Sequence, residues 1–168
     1  MAERVIFHVD ANSAFLSWSA AYRVKVLGEE TDLREVPSVV AGDKASRHSI
    51  ILAKSIPAKK YGIQTGEPLF QALEKCPELV VIPPDYDLYV QASRHFVDML
   101  RQFSPAVEQY SIDEAWVDMT GTQRLWGTPR LAAELMRRRI NEELGFTVNI
   151  GISSNKLLAK MAGDFEKP

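Results

Sequence analysis

Apolar residues follow two periods along this chain, and the switches between them set the expected architecture. Arg4 to Val9 is an apolar run closed by Asp10, the pattern of a strand buried on both faces. Phe15, Trp18, Ala21, Tyr22 and Lys25 then recur at helical spacing and predict a helix over about 14–26, capped by Asn12 or Ser13. Ser38 to Gly42 and Ser49 to Ala53 read as paired strands joined by the polar loop Asp43 to His48. Ser55 and Pro57 suit the start of a short helix, with Gly62 as its C-cap. A second short helix is expected over Leu69 to Lys75. Leu79 to Ile82 reads as a strand closed by Pro83-Pro84.

Two longer helices follow. Asp87 to Phe103 carries an apolar face of Leu88, Ala92, Phe96, Met99, Leu100 and Phe103, and Pro129 to Leu144 runs to Gly145. Between them, Val107 to Tyr110 and Ala115 to Asp118 read as a hairpin. Beyond them come a strand, Thr147 to Ile152, and a helix, Asn155 to Phe165, capped by Ser153 or Ser154. This order predicts an α+β fold: a mixed or antiparallel sheet with helices packed on one side, plus a small α/β insertion over about 14–84.

Composition adds bounds. The 168 residues suffice for one or two small domains. The net charge of −2 gives no global basic signature for nucleic acid. Cys76 is the only cysteine, which leaves neither a disulfide framework nor a cysteine zinc site. No apolar run reaches membrane-spanning length, and no signal peptide is expected before a strand that starts at residue 4 or 5. The expected compartment is cytoplasmic. The sequence closes on a helix followed by Glu166-Lys167-Pro168, and it is expected to be the first part of a longer protein.

The chemistry gathers in three carboxylates. Asp10 ends the first strand, while Asp113 and Glu114 sit between the two runs of the hairpin. Adjacent strand residues point to opposite faces, so Asp113 and Glu114 can serve one site only where the chain turns. Three carboxylates without a Lys or Arg close in sequence repel one another unless a cation joins them. Mg²⁺ binds through carboxylates and substrate phosphates. A pair of such ions about 3.5–4 Å apart is the apparatus of phosphoryl and nucleotidyl transfer. Cationic partners for phosphate are offered by Lys54, Lys59 and Lys60, and by Lys156 and Lys160, one turn apart on one helix face. Arg137-Arg138-Arg139 reads as the wet side of a helix.

The segments V-D-A-N-S-A-F at 9–15, Y-S-I-D-E-A-W-V-D at 110–118 and G-I-S-S-N-K-L-L-A-K-M-A at 151–162 resemble the Y-family translesion DNA polymerases, the DinB-like branch most closely. A-K-K-Y-G at 58–62 with G-E-P at 66–68 is similar to that family's fingers region. The resemblance runs over all 168 residues and implies a palm from 1–13 and 85–168 with a fingers domain from 14–84. The thumb and little finger would lie beyond Pro168.

It further implies template-directed, error-prone synthesis from a primer–template DNA and dNTP, with Asp10, Asp113 and Glu114 binding two Mg²⁺ ions and the Ala11 carbonyl as a backbone ligand. Phe15 matches the steric gate against a 2′-hydroxyl. Read without the motif, it is an apolar residue on an amphipathic helix. Lys160 matches a triphosphate-binding lysine. Lys59 stands where the family usually has an arginine, which keeps the charge and loses the bidentate fork. Ile56 replaces a phosphate-contacting tyrosine, and Asn12 an acidic residue. Whether a sliding clamp is used stays open; that contact would run through regions outside this chain. Two other readings remain: a palm-type nucleotidyl cyclase, and a non-catalytic scaffold that kept the fold.

Overall fold

The computed structural model describes residues 3–165 and 167–168. In chain order the elements are β1 (Ile6–Ala11), α1 (Ala14–Lys25), β2 (Ser38–Ala41), β3 (Ile51–Lys54), α2 (Ile56–Lys59), α3 (Leu69–Lys75) and β4 (Val80–Ile82). There follow α4 (Tyr86–Arg101), β5 (Val107–Gln109), β6 (Glu114–Asp118), α5 (Gln123–Trp126), α6 (Pro129–Arg139), β7 (Val148–Ser153) and α7 (Lys156–Asp164). The chain divides into two compact units: the stretch up to Asn12 together with Val90–Pro168, and Ser13–Tyr89.

The first unit is built on a four-stranded sheet, ordered β5-β6-β1-β7 and antiparallel throughout. β1 is central and all six of its residues are buried. Register gives its two faces different work. Phe7 and Val9 lie opposite Val117 and Ala115 on one side, and Ile152 and Ile150 on the other. This apolar face belongs to a core with Phe96 and Leu100 of α4 and Met136 of α6, all fully buried. Phe96 meets Phe146 edge-on at 5.8 Å, and α6 packs on β7.

His8 and Asp10 share the opposite face with Trp116, Glu114, Gly151 and Asn149. Helix α7 lies against that face. A Cβ on Gly151 would fall 1.8 Å from the Ala159 carbonyl oxygen and 2.5 Å from the Gly163 nitrogen. Backbone therefore meets backbone there, and only glycine permits it.

The second unit carries a mixed three-stranded sheet, β3-β2-β4, with β2–β3 antiparallel and β2–β4 parallel. β2 is buried on both faces. Val39 and Ala41 join a cluster with Ala58, Leu69 and Ala72 from the two short helices, and Val40 joins Leu16 and Ala20 of α1. Cys76 is fully buried in the first of these clusters, so the lone cysteine packs as a small apolar residue. Ser55 caps α2: its hydroxyl accepts from the Ala58 and Ser38 N–H groups at 3.1 and 3.0 Å and donates to the Val36 carbonyl at 2.7 Å.

Four local expectations are corrected. Ser13 precedes α1 in the left-handed region, φ 44, and makes no side-chain cap; its carbonyl accepts from the Ser17 N–H instead. Asn155, not Ser153 or Ser154, caps α7, accepting from the Leu158 N–H at 2.9 Å, because Ser153 is still paired in β7. The helix begun at Pro129 widens into a π turn over Ile140–Leu144 before Gly145 ends it at φ 85. Arg139 is not purely a solvent residue: it bonds Glu143 and Gln102 and lies 5.5 Å over the Phe103 ring. The short helix α5 has no counterpart in the periodicity. It is anchored by Trp126, whose indole N–H donates to the Phe103 carbonyl at 2.8 Å. Among the described residues no helix is long and apolar enough to cross a membrane.

Candidate active site

The β5–β6 hairpin and the end of β1 meet at one corner of the first unit. The Ala11 N–H donates to the Asp113 carbonyl at 2.9 Å, which ties the end of β1 to the hairpin turn. The turn is closed by Tyr110 and Ser111, whose N–H groups both point to the Glu114 carbonyl at 3.0 and 3.3 Å. Glu114 opens β6 directly opposite Asp10. Asp113 sits within the turn, where the strict alternation of a strand no longer applies.

One hydroxyl joins the two hairpin carboxylates. Ser111 Oγ lies 2.8 Å from Asp113 Oδ1 and 2.9 Å from Glu114 Oε2. A hydroxyl has one proton, so it serves one carboxylate at a time and holds both near each other. The other Glu114 oxygen accepts from His8 Nε2 and Lys160 Nζ, both at 3.1 Å. Lys167 forms an ion pair with Asp10, with Asp164 as its second partner at 3.4 Å. The tertiary fold thus supplies two ammonium groups to carboxylates that have no basic neighbours in sequence.

These surroundings push the two opposed carboxylates apart in acidity. Burial, aided by the charges of Asp113 and Glu114, raises the Asp10 carboxyl above its usual range despite Lys167. Burial also works to raise Glu114, but hydrogen bonds from Lys160 and Ser111 and the charges of Lys160 and His8 outweigh it. Glu114 is therefore held below the ordinary carboxylate range. His8 is 1% exposed, and burial lowers its pKa against the pull of Glu114 and Asp10. The pairing with Glu114 raises Lys160.

Helix α7 stands over the hairpin on two lysines. Lys156 pairs with Glu108 and lies 5.2 Å over the Trp116 ring. Lys160 lies 4.6 Å over the Tyr110 ring while it reaches Glu114. Each cation is thereby fixed by an aromatic face as well as by a carboxylate.

The donor chemistry suits Mg²⁺. Asp10, Asp113 and Glu114 offer only carboxylate oxygens, hard ligands for a hard cation. Among the described residues no three His, Cys, Asp or Glu side chains are drawn into a ready-made cage. Asp10 and Glu114 are instead bound to Lys167 and Lys160, whose positive charge stands where a cation's would be required.

The remaining candidates lie in the second unit. Phe15 is half-buried, stacked on Tyr89 with centroids 4.4 Å apart and planes 6° apart, and Tyr86 meets it edge-on at 6.1 Å. Lys59 ends α2 exposed, with no ion pair among the described residues, and Ile56 is also exposed. Sequence reasoning missed His8, Ser111, Asn149 and Lys167. His8 carried a signal, being two residues before Asp10 and so on its face of the strand.

The fold is that of the Y-family polymerases. The crystal structure of DinB from Sulfolobus solfataricus matches with a TM-score of 0.79 at 26% identity, over 98% of this chain and 46% of that one. A Y-family DNA polymerase chimera matches with a TM-score of 0.81 at 25% identity, over the same shares. The chain belongs to the impB/mucB/samB family, whose model matches residues 9–164. It is 53% identical over 165 residues to DNA polymerase IV of Clostridium acetobutylicum, covering 98% of this chain and 41% of that protein. It is 40% identical to DNA polymerase IV 1 of Bacillus subtilis, covering 98% and 38%. The chain thus spans about two fifths of the length of these curated relatives.

Proposed function

We propose that this chain is the catalytic part of a DNA-directed DNA polymerase that extends a primer 3′-hydroxyl with dNTP on a DNA template, in error-tolerant synthesis past damage. The proposed palm is 1–13 with 85–168 and the proposed fingers 14–84, a division that differs by one to five residues from that of the two compact units. The observation that carries the reading is the convergence of Asp10, Asp113 and Glu114: a cross-strand pair and a hairpin turn bring three carboxylates to one sheet corner.

Asp10, Asp113, Glu114 and the Ala11 carbonyl are the proposed holders of two Mg²⁺ ions. When bound, these would activate the primer hydroxyl and neutralise the leaving pyrophosphate. The protein's own residues do the rest. Ser111 holds the hairpin carboxylates side by side. His8, buried beside the hairpin, donates from Nε2 to Glu114 Oε1 and holds that carboxylate in place. Lys160 is placed to pass its charge from Glu114 to an incoming triphosphate, and Lys59 offers a second cation from the fingers. Phosphoryl chemistry asks mainly for such positioning and charge. Phe15, its ring stacked flat against Tyr89, is the proposed gate against a 2′-hydroxyl. The compartment that fits this work is the cytoplasm.

The test is primer extension by a chain of the relatives' full length, with Mg²⁺, a primed template and all four dNTPs. Templated extension is expected. A cyclic nucleotide product from the same mixture, or no metal-dependent nucleotide binding at all, would overturn the reading.

A further inference from the structure

Asn149 is the direct cross-strand partner of Asp10 in β7, just as Glu114 is in β6. Glu114, Asp10 and Asn149 therefore form one row across three strands, on the face that α7 covers. Two members of the row have partners. Glu114 is bonded by His8, Lys160 and Ser111, and Asp10 by Lys167. The third does not: Asn149 Nδ2 is closed off from solvent without a hydrogen-bond partner among the described residues.

Leaving a buried donor unpaired is costly, and native folds seldom do so without a reason. Directly opposed residues of an antiparallel pair have Cβ atoms about 4.5–5.5 Å apart, so a short amide can reach the carboxylate beside it. Lys167 already has a second partner in Asp164, which gives its ammonium a place to go when it leaves Asp10.

We propose that Asn149 is a positioning residue for Asp10: once a divalent cation takes the place of the Lys167 ammonium, the Asn149 amide donates to one Asp10 oxygen and leaves the other to the cation. This rests on the reading of Asp10 as a metal ligand. Lys167 cannot fill the role, since its charge competes with the cation for the same carboxylate. Carboxylates that hold metals are oriented by such hydrogen bonds, and their loss costs about 10–100-fold in metal affinity or activity.

The test compares Asn149→Thr with Asn149→Val. Both are β-branched residues suited to a strand, they have nearly the same shape, and only Thr keeps a donor. Mn²⁺ binding is titrated by electron paramagnetic resonance without nucleotide, with thermal melting alongside. The Thr variant is expected to bind Mn²⁺ close to the unsubstituted protein. The Val variant is expected to bind about tenfold more weakly while melting at the same or a higher temperature. Asn149→Ala gives the same reading of a lost donor should the Val variant not fold. Equal Mn²⁺ affinity with and without a donor at position 149 overturns the role of Asn149 alone. Failure of the unsubstituted protein to bind Mn²⁺ overturns the metal reading, and this inference with it.

Discussion

Asp10 and Glu114 face each other across the β1–β6 pair, and each is held by its own lysine, Lys167 and Lys160 respectively. Two carboxylates so placed destabilise one another unless positive charge is shared between them. The lysines supply that charge within the protein, which lets the acidic corner form before any ligand arrives.

Asp113 contributes its backbone carbonyl to the fold and its side chain to the site. Asp113→Ala keeps the former and removes the latter. Primer extension by a chain of the relatives' full length is expected to fall on the order of a hundredfold, with thermal stability nearly unchanged. Extension near the original rate would remove Asp113 from the catalytic set.

Phe15→Ala removes a ring that stacks on Tyr89. Ribonucleotide incorporation is expected to rise relative to deoxynucleotide incorporation, because a 2′-hydroxyl would no longer be crowded. The lost stacking is expected to cost about 1 kcal/mol of stability. The ratio of the two incorporation efficiencies is the measurement; an unchanged ratio would leave Phe15 a packing residue only.

Ser55 serves three backbone groups at once and is 2% exposed. Ser55→Ala strands the Ser38 and Ala58 N–H groups and the Val36 carbonyl. A loss of about 1–3 kcal/mol is expected, read from denaturant midpoints. A change within experimental error would mean that the loop re-forms these bonds without the hydroxyl.

The hydrogen bond and charge of Arg34 hold the Asp32 carboxyl below its ordinary value, against a smaller effect of burial. A depressed acid stabilises the fold above its unfolded pKa of about 3.9. That stability is lost as the pH falls through the lower folded value. The pair is partly exposed, so Asp32→Asn should cost under about 1 kcal/mol at neutral pH. Parent and variant should converge in stability near pH 2. A gap that widens toward low pH would contradict the assignment.

With 20 basic and 22 acidic residues, this chain has little charge with which to displace counterions from a duplex. Residues 1–168 are expected to bind primer–template far more weakly than a chain of the relatives' full length at the same moderate salt. Equal affinity would place the main DNA grip within these residues.

The fold class was legible because β1, β2 and the two long helices declare themselves through uninterrupted runs and a clear 3.6-residue face. The three carboxylates were visible as strand-end residues. Their pairing was not, since the opposition of Asp10 and Glu114 depends on a register set by residues more than a hundred positions apart. Lys167 on Asp10 was hidden for the same reason. Ser13 was misjudged from local preference: serine before a helix normally caps it, and nothing nearby in sequence announces a left-handed backbone there. The π turn at Ile140–Leu144 was invisible because a helix and its widened last turn share one hydrophobic pattern.

The contact of Gly151 with the backbone of Ala159 and Gly163 reaches beyond packing. No side chain lies between helix and strand there to repack, so α7 has no cushion on which to tilt or slide. Lys160 is therefore surveyed from the same datum as Asp10 and Glu114. Its remaining freedom is rotation about the bonds of its own stem: the sheet fixes where that stem is rooted, and the side chain alone decides which neighbour the ammonium reaches.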